Sequence, residues 1–203
     1  MATQIIMSIF LGVGLAAAAG FRVFLPLLAL SIASHFNVIP LGETFEWVGS
    51  IPAMIALGLA SLLEIGAYYI PWVDNLLDTA AVPLATLAGT GVVAASVTDL
   101  SPMLTWGLAI IAGGGTAGVI KSATAGTRLV STAATAGVGN HAVSTIETGT
   151  SVLLIFLAIV IPVLAIIAVI GILYLVYRIF KKLANRNKKS EEVKVGEQAD
   201  YSA

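Results

Sequence analysis

Long apolar stretches alternate with short polar connections along most of the chain. Residues 5–33, 51–70, 79–98 and 150–177 are each apolar over about 18 residues or more, the length at which a segment can cross a bilayer as a helix. The first stretch contains Pro26 and the last contains Pro162. This pattern predicts an all-α protein, a polytopic transmembrane helix bundle.

Residues 102–139 form a further apolar region with an irregular composition. Three consecutive glycines lie at residues 113–115, and each interior glycine destabilises a helix by about 1 kcal/mol. Residues 121–136 are rich in Ala, Thr, Ser and Gly. They predict a polar span, a re-entrant hairpin or an interfacial loop, because non-helical backbone at membrane depth must be covered by protein or water. We expect five or six spans, with this region as the one broken or re-entrant polar segment.

Two segments share the pattern A-x-A-G-x-R, at residues 17–22 and 123–128. A weaker similarity relates residues 46–51 to residues 147–152. Paired broken segments in corresponding positions of two halves are typical of transporter binding sites. In an alanine-rich chain the same match also arises by chance, so an internal repeat and a coincidence are both open interpretations.

The amino-acid composition excludes an ordinary soluble domain. Hydrophobic residues make up 58% of the chain and charged residues 10%, against about 45–50% and about 25% in soluble proteins. The sequence has no cysteine, which excludes a disulfide scaffold and a cysteine nucleophile. His35 and His141 have no second ligand at metal spacing, and the sequence holds no catalytic or nucleotide-binding motif. We therefore expect no metal, no cofactor and no enzymatic activity.

Positive charges predict the orientation. Seven of the ten basic residues lie between Arg178 and Lys194, directly after the last apolar stretch. Because Lys and Arg accumulate on the cytoplasmic side, we expect a cytoplasmic (inner) membrane protein with its C-terminus in the cytoplasm. The connections around residues 43–46 and 74–78 carry only acids, which favours an outside location. Basic residues are concentrated in the tail, so no nucleic-acid partner is expected.

The chain divides into one integral membrane domain, residues 1–180, and a tail, residues 181–203. The tail is basic and then acidic, with few apolar residues, and is predicted to be disordered and cytoplasmic. No basic residue precedes Arg22, whereas a signal peptide begins with a basic segment. The first apolar stretch is therefore interpreted as a retained span.

Two charged residues lie inside predicted spans. Arg22 lies near the middle of the first stretch, where a guanidinium costs about 2.5–3.5 kcal/mol or more unless it meets a partner or water. Pro26 cannot donate to the carbonyl of Arg22, which frees one acceptor there. Glu64 is the only carboxylate within a predicted span. Arg22 either pins two helices or contacts a ligand, and Glu64 either pairs with a basic side chain or acts as a protonatable coupling group.

Lys121 and Arg128 are two helical turns apart, so both lie on one face of a continuous helix. Small and hydroxyl residues separate them. Such a face suits an anion such as phosphate or carboxylate. It equally suits a tightly packed helix that is neutralised by Glu64 and Asp78.

The remaining polar candidates lie in connections. Asp74 and Asp78 share a helical face near aromatic residues that resemble an interfacial belt. They form either a cation or acid–base site, or an amphipathic linker with Asp78 near a helix N-terminus, where acids are stabilised. The aromatic residues near these two acids are Tyr68, Tyr69 and Trp72. Asn140 and Glu147 are the last two polar candidates for a functional site.

Three stretches resemble a known family. They are residues 14–30 (GLAAAAGFRVFLPLLAL), Glu64 with residues 70–83 (IPWVDNLLDTAAVP), and residues 124–140 (TAGTRLVSTAATAGVGN) followed by VSTIE. Together they resemble the bacterial multipass membrane family known as domain of unknown function 4126, over about residues 5–175. His141 stands where that family favours a proline, and Thr148 where an acid is common. The resemblance implies a multipass membrane fold and location, and it implies no activity.

Three functional hypotheses follow. The first is a small transporter, channel or translocator in which Arg22, Lys121 and Arg128 contact an anionic solute or lipid headgroup, with Glu64 as counter-charge or proton carrier. The second is a structural or assembly protein whose ion pairs fasten helices. The third and least supported is an intramembrane enzyme using Asp74 and Asp78. Membrane lipid is an expected partner, and the small residues Gly12, Ala16 and Gly20 suit either a homo-oligomer or packing within one chain.

Overall fold

The structure, a computed structural model, describes residues 2–200, apart from the side chains of residues 71, 72, 74–76, 78, 183, 184 and 186–200. Within this range the chain forms helices and no strand, which confirms the all-α fold class. The helices are α1 (Ala2–Phe21), α2 (Phe24–His35), a 3₁₀ helix (Glu43–Gly49), α3 (Ile51–Ala67), α4 (Pro71–Ser96), α5 (Pro102–Leu108), a π-helical segment (Ala109–Gly114), α6 (Gly115–Thr135), α7 (Asn140–Val160) and α8 (Pro162–Asp200).

The expected five or six spans are confirmed. In the described part of the chain, 5 helical segments are long and apolar enough to cross a membrane. A further pair, bent by 66°, raises the count to up to 6. The segments are Ala2–Phe21, Thr79–Ser96, Pro102–Thr135, Asn140–Val160 and Pro162–Lys182, and the bent pair is Glu43–Gly49 with Ile51–Ala67.

Helix α1 lies at the centre of the bundle because its small residues admit close neighbours. Residues 15–19 are completely buried. A Cβ on Gly12 would lie 3.2 Å from the backbone of Val93, and one on Gly20 would lie 2.6 Å from Ile120. The small face of α1 therefore packs within the chain, against α4 and α6. Homo-oligomer formation stays a prediction.

Helices α1 and α2 form a hairpin rather than one continuous span. Leu30 of α2 packs in the same apolar cluster as Leu11 and Leu15 of α1, so α2 returns alongside α1. Helix α6 passes the hairpin tip at Lys121, whose ammonium contacts the carbonyl of Phe21. From Lys121 the helix continues to Thr135, which is about 21 Å further along its axis at 1.5 Å per residue. The tip therefore ends inside the bundle. Although Ala2–Phe21 is long and apolar enough to cross a membrane, it is thus one arm of a re-entrant hairpin, and the other four segments with the bent pair make up five spans in the described part of the chain.

Of the three interpretations of residues 121–136, the structure bears out the polar span, because residues 121–135 lie within α6; the break expected in this region is found instead between α1 and α2. Pro102–Thr135 is a single apolar unit of 34 residues. A Cβ on Gly113 would overlap the carbonyl oxygen of Gly89, and one on Gly114 would lie 2.5 Å from the hydroxyl of Thr90. The glycine run thus allows α4 to approach closely, and the helix absorbs it as a π-helical segment.

Residues 150–177 form a second hairpin, so the prediction of one span there is wrong. A Cβ on Gly14 would lie 2.9 Å from the Cβ of Ala158 and 3.0 Å from that of Ala165. Seven residues of continuous helix would separate those two atoms by about 10.5 Å. The chain turns back because residue 161 precedes Pro162, and a proline disfavours helical conformation in the preceding residue.

The two ends of the bundle can be assigned from these contacts. At one end, which we call the N-side, Ile39, Asp99 and Pro162 line a cavity of about 500 Å³ together with Gln4. At the other end, the C-side, the carbonyl of Tyr69 lies 3.3 Å from the ring of the nearby His141. Helix α8 begins on the N-side and therefore carries its basic residues to the C-side.

The two acidic connections lie on opposite sides, so the prediction that both are outside is wrong. The N–H of Gly42 donates to the carbonyl of Ala95 at the end of α4, which places residues 43–46 on the N-side. Residues 74–78 lie near the start of α4, on the C-side. The helix that begins at Pro162 extends to Asp200. The disordered cytoplasmic tail over residues 181–203 stays a prediction.

The contact between α4 and the glycine run predicts that Gly113→Ala is destabilising. A methyl group there must displace the backbone of Gly89, and overpacking of this kind costs about 1–3 kcal/mol. Thermal unfolding in detergent measures the change. Gly115→Ala is the matched control because a Cβ there meets no atom within 4 Å. Equal unfolding temperatures for the two variants would contradict this packing.

Candidate functional site

Polar side chains from three helices, from the break between α1 and α2 and from the residue after α3 meet inside the bundle where the first hairpin ends. We call this group the cation cluster. Each member is at most 7% exposed. The cluster consists of Arg22 between α1 and α2, Glu64 of α3, Tyr68 directly after α3, Lys121 and Arg128 of α6, and Glu147 of α7.

The cation cluster lies at a depth where the outside of the bundle is apolar. Leu63 precedes Glu64 and is 72% exposed, whereas Glu64 itself is buried. Leu129 follows Arg128 and is 70% exposed, and Ile146 precedes Glu147 and is 68% exposed. Because large apolar residues are exposed on lipid-facing surfaces, the charged groups lie at membrane depth.

The ring of Tyr68 is the common contact of the three cations. The guanidinium carbons of Arg128 and Arg22 lie 4.0 Å and 4.4 Å from its centroid, and Nζ of Lys121 lies 5.3 Å away. A cation within about 6 Å of an aromatic face is attracted to it, most strongly when water is excluded. Tyr68 therefore offsets part of the repulsion among the three cations, and the carboxylates of Glu147 and Glu64 act on Arg22 and Lys121 in the same direction.

Glu64 caps the returning arm of the hairpin. Its carboxylate accepts hydrogen bonds from the N–H groups of Val23 at 2.7 Å and Phe24 at 3.0 Å. These are the first N–H groups of α2, which have no partner within the helix. A negative charge at a helix N-terminus is also stabilised by the helix dipole. Glu64 thus satisfies the backbone that the helix break exposes.

Lys121 forms a hydrogen bond with the other helix end at this break, the C-terminus of α1. Its Nζ donates to the carbonyl of Phe21 at 3.1 Å, at the C-terminal end of α1. A cation at a helix C-terminus complements the negative end of the dipole. The break therefore places a carboxylate on one new helix end and an ammonium on the other.

Arg22 extends from the break towards α7. Its Nε donates to the hydroxyl of Thr148 at 3.0 Å, and its Nη2 donates to the carbonyl of Ser144 at 2.8 Å. The Nη2 also lies 3.8 Å from the carboxylate of Glu147. The remaining nitrogen, Nη1, is buried and has no acceptor among the described residues.

Glu147 joins two of the cations. Arg128 donates to its carboxylate from both Nε, at 3.1 Å, and Nη2. Two parallel bonds of this kind fix the relative orientation of both side chains. Because Arg22 approaches the same carboxylate, Glu147 couples α6 and α7 to the tip of the hairpin.

The sequence matches the family described as domain of unknown function (DUF4126) over residues 9–182. The chain belongs to the DUF4126 family. Comparison with curated proteins and with solved structures gave no match. The DUF4126 match begins within α1 and ends within α8, so it contains the whole cation cluster.

Several sequence-based expectations can now be compared with this DUF4126 structure. Arg22, Glu64, Lys121, Arg128 and Glu147 come together as one group. Glu64 makes no direct salt bridge to a described basic side chain, since its carboxylate binds backbone N–H groups, but its charge still acts on the nearby Arg22 and Lys121. The A-x-A-G-x-R segments both reach Tyr68, but the first ends at a helix break and the second continues within α6.

The other polar candidates lie outside the cluster or outside the described side chains. Asn140 is buried at the start of α7, where its Nδ2 donates to Thr132 at 2.9 Å. The side chains of Asp74 and Asp78 are not described. In the described part of the chain, no three His, Asp or Glu side chains form a group that could hold a metal.

Sequence reasoning missed part of the site. The sequence predicts that Tyr68 belongs to an interfacial belt, which is wrong because the side chain is buried among cations. The sequence analysis names Thr148 only as a departure from the family pattern and does not identify Ser144 or Ser151, although Ser151 donates to the carbonyl of Ala18 at 3.1 Å. Their spacing with Glu147 follows the i, i+3, i+4, i+7 rule for one helix face, a signal present in the sequence.

The cap predicts a stability cost for Glu64→Gln. The amide has one acceptor oxygen, so one N–H of Val23 or Phe24 loses its partner, and the favourable charge at the helix end is lost. Together these changes cost about 1–3 kcal/mol. Chemical or thermal unfolding in detergent measures the loss. Glu46→Gln on the exposed N-side is the control, expected within about 0.5 kcal/mol of the unsubstituted protein.

The shared carboxylate predicts a larger cost for Glu147→Gln. Removing one partner of a buried ion pair leaves an uncompensated charge and costs about 3–5 kcal/mol. The double variant Arg128→Met with Glu147→Leu removes both partners and should recover most of that loss. Arg128→Met and Glu147→Leu made singly complete a double-mutant cycle, and additive effects of these two substitutions would show that the pair is not coupled.

Proposed function

We propose that this DUF4126 protein is a small transporter or translocator, and that the cation cluster binds an anionic group of its substrate. The observation that carries this proposal is the state of Lys121. Its side chain is completely buried, and its ammonium has three hydrogen-bond donors. Among the described residues it has one acceptor, the carbonyl of Phe21.

Unused donors on a buried cation are costly, because each loses its bonds to water without gaining a replacement. Nη1 of Arg22 is in the same condition, and both side chains lie against the ring of Tyr68. An anion between them would accept from both. A phosphate or carboxylate group has the required acceptors, whether it belongs to a free solute or to a lipid headgroup.

The re-entrant hairpin supports the same proposal. Transporter substrate sites are typically formed by discontinuous helices near the bilayer midplane. Here the chain breaks between Phe21 and Phe24 and places Arg22 at the break, inside the bundle. In a continuous helix the backbone groups at this depth would bond to one another. The break frees them and places Arg22 beside them.

We further propose that the protein resides in the cytoplasmic membrane with its C-terminus in the cytoplasm. The support is the positive-inside rule applied to the basic run that begins at Arg178. Because α8 crosses from the N-side to the C-side, the C-side then faces the cytoplasm. The N-side, with Glu43, Glu46 and Asp99, then faces outward. No enzymatic step is proposed.

The second candidate function is a purely structural one, in which the charges only fasten helices. A specific observation favours it. The described acceptors Glu64, Glu147 and the carbonyl of Phe21 already serve the hairpin tip. Several cavities lined by described residues lie away from the cluster. The two functions differ in what they predict for Lys121.

Lys121→Met separates the two functions. Because Lys121→Met removes the donor to the carbonyl of Phe21, it should lower the free energy of unfolding by about 1–3 kcal/mol under either function, so the response to anion is what separates the two. The variant should also lose any stabilisation by added anion, which reaches about 2.7 kcal/mol at a concentration 100 times the dissociation constant. Thermal unfolding with inorganic phosphate and with glycerol 3-phosphate measures both effects.

Thr127→Ala, at an exposed position of the same helix, is the control and should retain the anion effect. Uptake of the stabilising anion into proteoliposomes then tests transport directly. If neither probe stabilises the unsubstituted protein, the cluster is a structural fastening and the transport proposal is wrong.

A further inference from the structure

A lateral groove of about 780 Å³ runs between α4, α6 and α8. Thr86 of α4, Gly115 and Gly118 of α6, and Val176 and Tyr177 of α8 are among the residues that line it. No member of the cation cluster lines it. The groove is therefore separate from the proposed transport site.

The surface of the groove is effectively apolar, although it contains hydroxyl groups. The hydroxyl of Thr86 donates to the carbonyl of Val82 at 2.9 Å, and that of Ser122 donates to the carbonyl of Gly118 at 2.8 Å. Each hydroxyl is thus satisfied within its own helix. A flexible hydrocarbon chain can lie in such a groove without removing a polar group from its partner.

One end of the groove is basic. Tyr177 and Phe180 form part of its rim and are 60% and 51% exposed. Nζ of Lys181 lies 5.9 Å from the ring of Tyr177. The nearby Arg178 and Lys182 are also exposed, and the sequence has no acid from residue 178 to residue 190. An apolar groove inside the span therefore ends at a positive surface where the span ends.

We propose that this groove binds an anionic phospholipid, with an acyl chain between α4, α6 and α8 and the headgroup phosphate at Lys181. The groove and the lipid have the same arrangement of apolar and charged parts. Ile110, inside the span, would contact the acyl chain, and Lys181, at the basic end of the span, would contact the phosphate. Basic residues beside a span attract anionic lipid headgroups. The cytoplasmic leaflet, where we place the C-side, holds such lipids.

The glycines of α6 allow a specific test. A Cβ on Gly115 meets no atom within 4 Å, so Gly115→Leu fills the groove without displacing the backbone. Gly126 of the same helix is exposed, also meets no atom and does not line the groove, so Gly126→Leu is the matched control. Gly118 is unsuitable because its Cβ would lie 2.7 Å from the hydroxyl of Thr86.

Native mass spectrometry of the full chain in detergent measures binding of phosphatidylglycerol and of phosphatidylcholine with the same acyl chains. We expect the first bound lipid to be phosphatidylglycerol, lost in Gly115→Leu and retained in Gly126→Leu. Lys181→Gln should lower the preference for phosphatidylglycerol about fivefold, the equivalent of about 1 kcal/mol for one basic residue. Lys181→Gln changes only an exposed side chain, so the test remains decisive if Gly115→Leu does not fold.

Three results would overturn the proposal. They are equal binding of the two lipids, unchanged lipid binding in both Gly115→Leu and Lys181→Gln, and a dimer that Gly115→Leu dissociates, which would assign the groove to a second copy of this chain. Failure here leaves the response of the cation cluster to soluble anions unaffected, because the two sites share no residue.

Discussion

The polar backbone at the end of the first hairpin controls the architecture. A helix that breaks at membrane depth exposes carbonyl groups on one side and N–H groups on the other, and hydrocarbon satisfies neither. Glu64 accepts from the exposed N–H groups and Lys121 donates to an exposed carbonyl. Both charged residues must therefore be close to the break, and α3 and α6 are positioned around it. The buried charges are in this sense a consequence of the re-entrant chain.

The helix break does not account for all the cations near it, because their hydrogen-bond donors outnumber the backbone groups that need a partner. Two helix ends require one carboxylate and one cation, yet three cations surround Tyr68. Glu147 serves Arg128 and approaches Arg22, while the ammonium of Lys121 keeps donors that no described residue accepts. A foreign anion would complete the hydrogen bonding of this cluster. The structural role and the proposed anion site are therefore compatible, since one set of hydrogen bonds holds the chain and the remaining donors are not needed for it.

Much of the fold was predictable from local pattern. Apolar length indicated the bundle, and burial of Arg22, Lys121 and Arg128 followed from the cost of exposing charge to lipid. The hairpins were not predictable in the same way. Pro162 was visible, but a proline inside a span either kinks it or ends it, and only contacts such as those of Gly14 distinguish the two. The role of Tyr68 was also hidden, because its position beside other aromatic residues is equally typical of a membrane interface.

The central claim is that the surplus donors of Lys121 and Arg22 meet a group that does not belong to the chain. A high-resolution structure of the protein in lipid tests it directly. The account predicts non-protein density within hydrogen-bond distance of both Nζ of Lys121 and Nη1 of Arg22, with the shape of an oxoanion or a headgroup. Density showing both nitrogens enclosed by protein atoms alone would contradict it and would leave the cluster as a device that holds a broken helix in place.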